Sequence, residues 1–478
     1  MAVGKALVKS DRLGKAYIGI LLVIFGGIVL HAPLTVALGT VWPDYSLAIK
    51  AWKEILMLAA GVILLFLLYQ RRMFKLLKEP LVLACVAYAA LHLVLIPVFG
   101  GTVESVVAGL MIDLRYILFF VLVYLAIKLY PGYAKIFIKV GIAGALVVVV
   151  FAILQVFVLP KDILKYLGYN LNTIVPYLTV DLNPDFIRIN STLRGPNPVG
   201  AYAVIVLALL AAAIVKNKVT GLQNPLRVLS SGSPLLFKFL RNSKKRALPH
   251  RTPPAVKDSE VQATTRQVWL IVTASILGIG GLVALWFSYS RSALVAAVVA
   301  VGVVLAVTIA RRLPRRVWII GTIVIFGLAG GLVAARETSF VSNVILHVNQ
   351  DGGSAHTSND GHIDSLQTGT ELLVTQPLGA GVGSAGSASL LGDKPLIIEN
   401  QYLFIAHEVG WLGLILFVSI YVAILMKLWD KRKSYLALGA FASGIGLALI
   451  GLLLPVWVDD TTAIIWWGLA AVALGMKR

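Results

Sequence analysis

Three arginines stand beside apolar segments of the chain, where their charge needs an anionic partner. Arg188 and Arg194 precede an apolar run in "RINSTLRGPNPVGAY", and Arg291 lies between two such runs in "WFSYSRSALVA". A guanidinium group can hold two phosphate oxygens at once, and Ser290 adds a hydroxyl donor beside Arg291. The alternative is that each arginine reaches lipid headgroups or pairs with a carboxylate of the protein. Taken together, the three arginines favour a site for a diphosphate.

Two residues could accept a proton from a reacting hydroxyl. Glu399 lies where a polar loop returns to an apolar segment, and His362 stands in "SNDGHIDSLQTG". Asp364 and Asn400 are candidates for binding the hydroxyls of an acceptor or glycan, although Asp364 points to another face of a helix than His362. The open alternatives are that Glu399 caps a helix or pairs with an arginine, that His362 is an exposed loop residue, and that Asn400 begins the helix.

Together, these residues have the chemistry to displace a lipid diphosphate from a sugar carbon by a hydroxyl. That reaction needs positive charge to stabilise the leaving group and a base for the acceptor proton. Arginines can replace a metal in the first role, and the one cysteine, Cys85, excludes a disulfide framework and a multi-cysteine metal site. The formal G-x-G-x-x-G in "GAGVGSAG" follows no strand, so it predicts an outer turn and no nucleotide site. We therefore expect no metal and no cofactor.

Three other histidines lie within apolar segments. His31, His92 and His407 are therefore expected to be packed or hydrogen-bonded and not catalytic.

The elements that must position the site are long apolar runs. With 59% hydrophobic residues, 13% charged residues and a mean hydropathy of +0.88, the chain cannot be a water-soluble globule. The runs are continuous and do not alternate, which excludes a strand barrel. The sequence predicts an all-α polytopic membrane protein, one transmembrane domain over 1–478. Twelve segments are long enough to cross the hydrocarbon layer: 17–39, 54–70, 80–98, 114–130, 136–158, 199–215, 268–287, 292–310, 317–335, 401–426, 435–455 and 460–476.

The charge distribution gives an orientation. If the N-terminus is cytoplasmic and sides alternate, the cytoplasmic pieces hold 32 of the 42 Lys and Arg residues but only 5 of the 22 Asp and Glu residues. This asymmetry follows the positive-inside rule, and an even number of helices returns the C-terminus to the cytoplasm. The net charge of +20 is thus a topology signal and predicts no nucleic-acid partner.

Two connections are too long to be simple links. The piece 216–267 mixes Pro, Ser, Gly and basic residues and is predicted to be a flexible cytoplasmic loop that touches anionic headgroups. The piece 336–399 is predicted to be a large outer loop that carries part of the site, with a helix over 361–376 ended by Pro377. A shorter outer segment, 161–198, begins with an apolar pattern that predicts a helix lying in the interface.

Four stretches occur in an order and spacing that resemble the O-antigen ligase and O-antigen polymerase superfamily. They are "RINSTLRGPNPVGAY", "SYSRSALVA", "GHIDSLQTGTELLVTQPLGAGVGSAG" and "ENQYLFIAHEVGWLGLILF", and the resemblance covers roughly residues 100 to 430. It implies a GT-C-type glycosyltransferase of the bacterial cytoplasmic (inner) membrane, with the active site facing outward. It further implies an undecaprenyl-diphosphate-linked glycan as donor, a lipid, glycan or protein as acceptor, and neither metal nor nucleotide.

The resemblance also assigns residues. Arg194 and Arg291 fall on the diphosphate-binding arginines of the superfamily, with Arg188 as a weaker third. Where its ligases place His-Asn, this chain has Glu399-Asn400, so that Glu399 stands where the catalytic base is proposed.

The rival class is a transporter, such as a flippase for lipid-linked oligosaccharides. A flippase should show polar residues at mid-membrane depth and two similar halves. Apolar segment centres and unequal loop positions favour glycan transfer.

Overall fold

The computed structural model describes residues 11–180, 182–216, 258–309, 338 and 358–477. Within these ranges the chain is almost entirely helical, with a single two-stranded antiparallel sheet. The predicted all-α polytopic class is therefore confirmed. The helices are α1 Arg12–Gly27, α2 His31–Val41, α3 Ser46–Lys50, α4 Trp52–Gln70, α5 Pro80–Phe99, α6 Val103–Leu129, α7 Ala134–Phe157, α8 Pro196–Val215, α9 Asp258–Phe287, α10 Arg291–Ile309, α11 Ser358–Thr375, α12 Gly386–Ser389, α13 Gln401–Asp430, α14 Tyr435–Ile450 and α15 Asp460–Gly475; the strands are β1 Leu178–Val180 and β2 Asn183–Arg188.

In the described part of the chain, nine helical stretches are long and apolar enough to cross a membrane. The first joins α1 and α2 into one stretch, Arg12–Val41, and the last is α13. The helices α14 and α15 match the final two predicted segments but are shorter, with 16 residues each. The predicted segment 317–335 lies outside the described residues, so the count of twelve stays a prediction.

The outside of the bundle is apolar. Leu58, Val298 and Met426 lie on three different helices, and 65%, 72% and 64% of their surfaces are exposed. Such broad apolar exposure does not occur on a soluble monomer, whereas lipid chains would cover it at no cost. The structure is thus consistent with a multi-pass membrane protein.

The last helix, α15, lies at the centre of the bundle. All its side chains from Thr461 to Gly475 are buried, including both Trp466 and Trp467. A helix that is apolar on every face lies in a protein core or spans a membrane, and here other helices surround it. Its close neighbour is α6, where Gly475 lies against Ile127 and leaves no room for a larger side chain.

Polar clusters mark the two ends of the bundle. At one end, Arg71 contacts Asp11 and donates to the Tyr130 hydroxyl at 2.7 Å. That end carries only residues predicted to be cytoplasmic. At the other end lie the sheet and the described part of 358–399, which hold residues predicted to be outside. We call this second end the site end.

Three connections differ in detail from expectation. The helix α9 begins at Asp258, so that the last ten residues of the predicted loop 216–267 are helical, while 217–257 lie outside the described residues. The predicted interfacial helix is only a 3-10 helix, Ile163–Leu167, and the polar run after it forms the hairpin of β1 and β2. The helix predicted over 361–376 is confirmed as α11.

The orientation can be tested by cysteine labelling in intact cells. We expect a cysteine introduced at Ser259 to resist an impermeant thiol reagent, and one at Ser354 to react, because the basic residues concentrate on the side of Ser259. The native Cys85 is 1% exposed, so we expect no labelling of the parental chain. Labelling of the Ser259 variant without labelling of the Ser354 variant would reverse the orientation.

Candidate functional site

The segment between β2 and α8 turns into the protein and anchors two of the arginines. Ser191 is fully buried; its amide donates to Gln155 Oε1 at 2.8 Å and its hydroxyl to the Val148 carbonyl at 2.8 Å. Asn190 is held in the same way by the Val175 carbonyl, 2.8 Å from its Nδ2. Arg188 and Arg194 flank this buried turn and are therefore fixed relative to α7.

Arg188 joins this segment to the turn between α9 and α10. Its Nε donates to the Ser288 carbonyl at 2.9 Å, and its Nη2 donates to Asn197 Oδ1 at 2.7 Å. Gly200 permits this approach, since a Cβ there would lie 2.7 Å from Ala293 Cβ. The structure thus brings Arg188 and the Arg291 turn together, and it gives Arg188 contacts that hold the two segments in place.

The turn that carries Arg291 is polar and tightly wound. Ser290 is 4% exposed and its Oγ lies 3.3 Å from Ser292 Oγ, while Tyr289 adopts a left-handed backbone with φ of 47°. Burial raises the pKa of the Tyr289 hydroxyl, so it stays a hydrogen-bond donor at neutral pH. Arg291 itself is partly buried and makes contacts within the protein.

Arg194 faces a cavity of about 460 Å³. Its guanidinium is exposed and has no hydrogen-bond or ion-pair partner among the described residues. The walls come from the start of α8, from the segment before α13, and from the connection between α14 and α15. They are formed by Leu178, Arg194, Gly195, Pro196, Asn197, Pro198, Ala201, Gly386, Ser387, Leu390, Ile397, Ile398, Phe404, Ile450, Leu454, Pro455, Val456, Val458, Asp459 and Thr462.

Most of this cavity is apolar, and its polar groups are few. Arg194 and Asn197 lie on one wall, and Asp459 lies on another, where its Oδ1 caps α15 by accepting the Thr462 amide at 2.7 Å. An apolar cavity lined by a cation that has no partner in the described part of the chain suits a ligand that combines a lipid with an anionic group.

The two candidate bases touch each other. His362, in the first turns of α11, contacts Glu399 through its Nδ1 and the carboxylate Oε2. The Glu399 amide donates to Ser365 Oγ at 2.8 Å, which fixes the residue against α11. Both side chains remain partly exposed, His362 at 28% and Glu399 at 36%. Glu399 directly follows Ile398, which lines the cavity, whereas neither member of the pair lines the cavity itself.

The two candidate acceptor-binding residues have different settings. Asn400 is 9% exposed; its Oδ1 accepts the amides of Tyr402 and Leu403, and its Nδ2 donates to the Leu452 carbonyl at 2.7 Å. These contacts fit the alternative that Asn400 begins the helix. Asp364 is exposed, two residues beyond His362 on α11.

The glycine-rich turn is packed into the bundle. It lies against a kink in α13 at Val409 and Gly410, where the Ala385 amide donates to Glu408 Oε1 at 3.1 Å. Gly383, with φ of +81°, approaches the Ser105 carbonyl so closely that a Cβ would lie 2.1 Å away. The turn thus positions the cavity-lining residues that follow it and has the character of a structural turn.

Sequence reasoning missed a buried ion network behind the cavity. It consists of Lys53 and Glu54 at the start of α4, Arg115 in α6, and Asp460 at the start of α15, with His31 at its edge. The signal was present, because charged residues inside apolar segments are rare without a function.

The three histidines predicted to be packed within apolar segments, His31, His92 and His407, are buried. His31 Nδ1 accepts from Trp52 Nε1 at 3.0 Å, His92 Nδ1 lies 2.9 Å from the Tyr88 carbonyl, and His407 is 6% exposed. Among the described residues, no three His, Cys, Asp or Glu side chains are grouped as metal ligands would be.

The fold and the cavity define a polytopic membrane protein whose candidate site lies at one end of a helix bundle. Residues 276–418 match the family described as O-antigen ligase. This match supports the resemblance to the superfamily that the sequence motifs indicated, whose family description suggests O-antigen ligase-like activity in glycan transfer at a membrane. No curated protein matches the chain.

Proposed function

We propose that the chain transfers a glycan from an undecaprenyl-diphosphate-linked donor to a hydroxyl or amide of an acceptor on the outer side of the bacterial cytoplasmic membrane. The observation that carries the proposal is an apolar cavity lined by Arg194, which has no partner among the described residues, with the His362-Glu399 pair next in sequence to the lining residue Ile398. The family match over residues 276–418 supports the same class of reaction.

The reaction divides between these two groups of residues. The acceptor oxygen or nitrogen forms a bond to the anomeric carbon of the donor sugar, and the bond from that carbon to the diphosphate oxygen breaks. The electron pair leaves with the diphosphate, whose new charge Arg194 would stabilise in the apolar cavity. The acceptor proton passes to the His362-Glu399 pair. One imidazole nitrogen and one carboxylate oxygen of this pair lie outside their mutual contact and can face the acceptor.

Arg291, Ser290 and Arg188 have a supporting place in this proposal. They form the polar turns next to the Arg194 wall, and their donors can extend the anion site or hold it in shape. The positive charges of Arg291 and Arg188 also favour an anionic donor near the site end.

The Arg291 role gives a testable expectation. Arg291→Lys keeps the charge but loses the two-pronged geometry, so we expect transfer to fall by roughly 10-fold or more, as the loss of a strong charge-assisted hydrogen bond implies. The protein should reach the membrane in near-parental amounts. The measurement is glycan transfer per unit of immunodetected protein. A lysine variant with the parental rate would remove Arg291 from the diphosphate site.

The proposal as a whole can be tested by deleting the gene and identifying the glycan lipid that accumulates. We expect a diphosphate-linked glycan on the outer leaflet, and its chain length separates a ligase-like enzyme, which leaves long chains, from a polymerase-like one, which leaves single repeats. Accumulation on the inner leaflet would indicate a transporter and contradict glycan transfer.

A further inference from the structure

One wall of the cavity that Arg194 lines belongs to a connection that is held at both ends. This connection, residues 451–459, links α14 to α15, and it supplies Leu454, Pro455, Val456, Val458 and Asp459 to the cavity. At its first end, Asn400 Nδ2 donates to the Leu452 carbonyl at 2.7 Å. The Gln401 side chain accepts the Trp457 amide at 2.8 Å. These contacts tie the connection to the residues that directly follow Glu399.

The other end is held by the buried ion network. Arg115 Nη2 donates to the Val458 carbonyl at 2.6 Å, and its Nη1 contacts the Asp460 carboxylate. The Arg115 guanidinium therefore contacts the residues on both sides of Asp459. Arg115 is 6% exposed and reaches the connection from α6, so its own place is fixed by the core of the bundle.

The rest of the network keeps Asp460 in place. Lys53 Nζ lies 3.4 Å from Asp460 Oδ1 and 3.1 Å from Glu54 Oε1. His31 Nε2 lies 3.1 Å from Asp460 Oδ2. Because His31 Nδ1 accepts from Trp52, the proton of a neutral His31 is on Nε2 and points to the carboxylate.

The charges of the network balance. Lys53 and Arg115 offset Glu54 and Asp460, so the network adds no net charge to the neighbouring cavity. The contacts of Arg115 with the Val458 carbonyl and Asp460 add a geometric contribution. Buried charges that contact one another can hold a loop backbone in a specific arrangement, which a simple apolar contact would not impose.

We propose that Arg115 is a positioning residue for the donor cavity, acting through the Val458 carbonyl and Asp460 to hold the wall that residues 454–459 form. This inference rests on the proposed function for its substrate. Arg115 lies behind the wall and does not line the cavity itself.

The test must separate positioning from folding. Arg115→Met alone leaves Asp460 buried without its main cation, and that variant can fail to fold. The double variant Arg115→Met, Asp460→Asn removes one charge of each sign and keeps the network neutral, while the Val458 carbonyl still loses its donor. Arg115→Lys keeps the charge but cannot fork between Val458 and Asp460.

The readout is donor kinetics of the purified full chain in lipid nanodiscs, with a synthetic polyprenyl-diphosphate glycan as substrate. We expect the double variant to raise KM for the donor by about 10-fold with kcat within about threefold, the pattern of lost binding that is equal in ground and transition states. The donor KM of the Arg115→Lys variant should lie between the KM of the parental chain and that of the double variant. A double variant with parental KM overturns the positioning role.

A matched control lies at the opposite end of the bundle. Arg71 and Asp11 also form an ion pair, and Arg71→Met, Asp11→Asn removes the same charges far from the cavity. Its donor KM should equal the parental value. An equal rise in KM in this control would make the effect general and overturn the inference.

Hydrogen exchange separates this inference from the proposed function. We expect the peptide covering 451–459 to exchange faster in the double variant, with the helices α7 and α8 unchanged. If the parental chain transfers no glycan, the proposed function fails, yet the exchange comparison still decides whether Arg115 holds the wall. Unchanged exchange at 451–459 overturns the positioning role whatever the activity.

Discussion

Replacing Glu399 by glutamine is expected to lower glycan transfer by roughly 10²-fold to 10⁴-fold, the usual loss when a general base is removed. Glutamine keeps the shape of the side chain and can still face His362, but it cannot accept a proton. The donor should still bind, because the cavity around Arg194 is unaltered. The measurement is the initial rate of transfer at saturating donor, together with donor binding to the same preparation.

The contact between His362 and Glu399 makes a second expectation possible. His362→Gln should cause a loss of similar size, and the double variant should lose little more than the worse single one, since residues that act as a unit are not additive. An active Glu399→Gln beside an inactive His362→Gln would assign the proton to the histidine alone. Two active single variants would remove the pair from the reaction.

Glu371 provides the matched control for this series. It is an exposed glutamate on α11, the same helix that carries His362. Glu371→Gln makes the same chemical change without touching the pair, so its transfer rate should stay close to parental. A comparable loss in this variant would show that α11 tolerates no change of charge.

Replacing Arg194 by methionine is expected to lower transfer by roughly 10²-fold to 10³-fold, the loss seen when one group that stabilises developing negative charge is removed. Membrane abundance should stay near parental, because the exposed guanidinium holds no partner among the described residues. Arg194→Lys should give an intermediate rate, since it keeps the charge without the fork. The measurement is transfer per unit of membrane protein.

Lys165 serves as the control for Arg194. It is a basic residue of the 161–198 segment, 48% exposed and paired with Asp162 at 2.5 Å. Lys165→Met removes one positive charge from this segment but not from the cavity, so transfer should be unchanged. Equal losses in both variants would mean that the overall charge of this region matters and that Arg194 has no special role.

The helical class was predictable because apolar runs are continuous, yet hydropathy misplaced the start of one span. The fourth run was predicted to begin at 114, whereas α6 begins at Val103. Asp113 lowers the apparent hydropathy just before that run, but it is buried and lies 3.8 Å from His92 of α5, and the next charged residue, Arg115, contacts Asp460 of α15. Only the folded bundle supplies those partners, so a single-segment criterion cannot anticipate them.

The residue types of the candidate site were also predictable, but their grouping was not. Arginines beside apolar segments and a carboxylate at a loop end were visible in the sequence. The contact of His362 with Glu399 joins positions 37 residues apart, on either side of a packed glycine turn. The network around Arg115 joins three distant segments. The sequence of each apolar segment does not indicate which charged residue of another segment it contacts.

Those buried charges also bear on the rival class. Polar groups inside spans are a feature that a transporter would share. In this chain they contact one another and a loop carbonyl, as a fixed support would. The two classes must therefore be separated by an assay that shows whether the donor is cleaved or is only moved across the membrane.

The fate of the bond between the sugar and the diphosphate tests glycan transfer most directly. Purified parental chain in sealed liposomes would receive a polyprenyl-diphosphate glycan labelled in the sugar, with a candidate acceptor, and products would be followed over time. We predict that the label leaves the lipid for the acceptor while free polyprenyl diphosphate forms in equal amount, and that Arg194→Met lowers both rates to the same extent. Label that crosses the bilayer still attached to its lipid, with no diphosphate released, would contradict glycan transfer and identify a transporter.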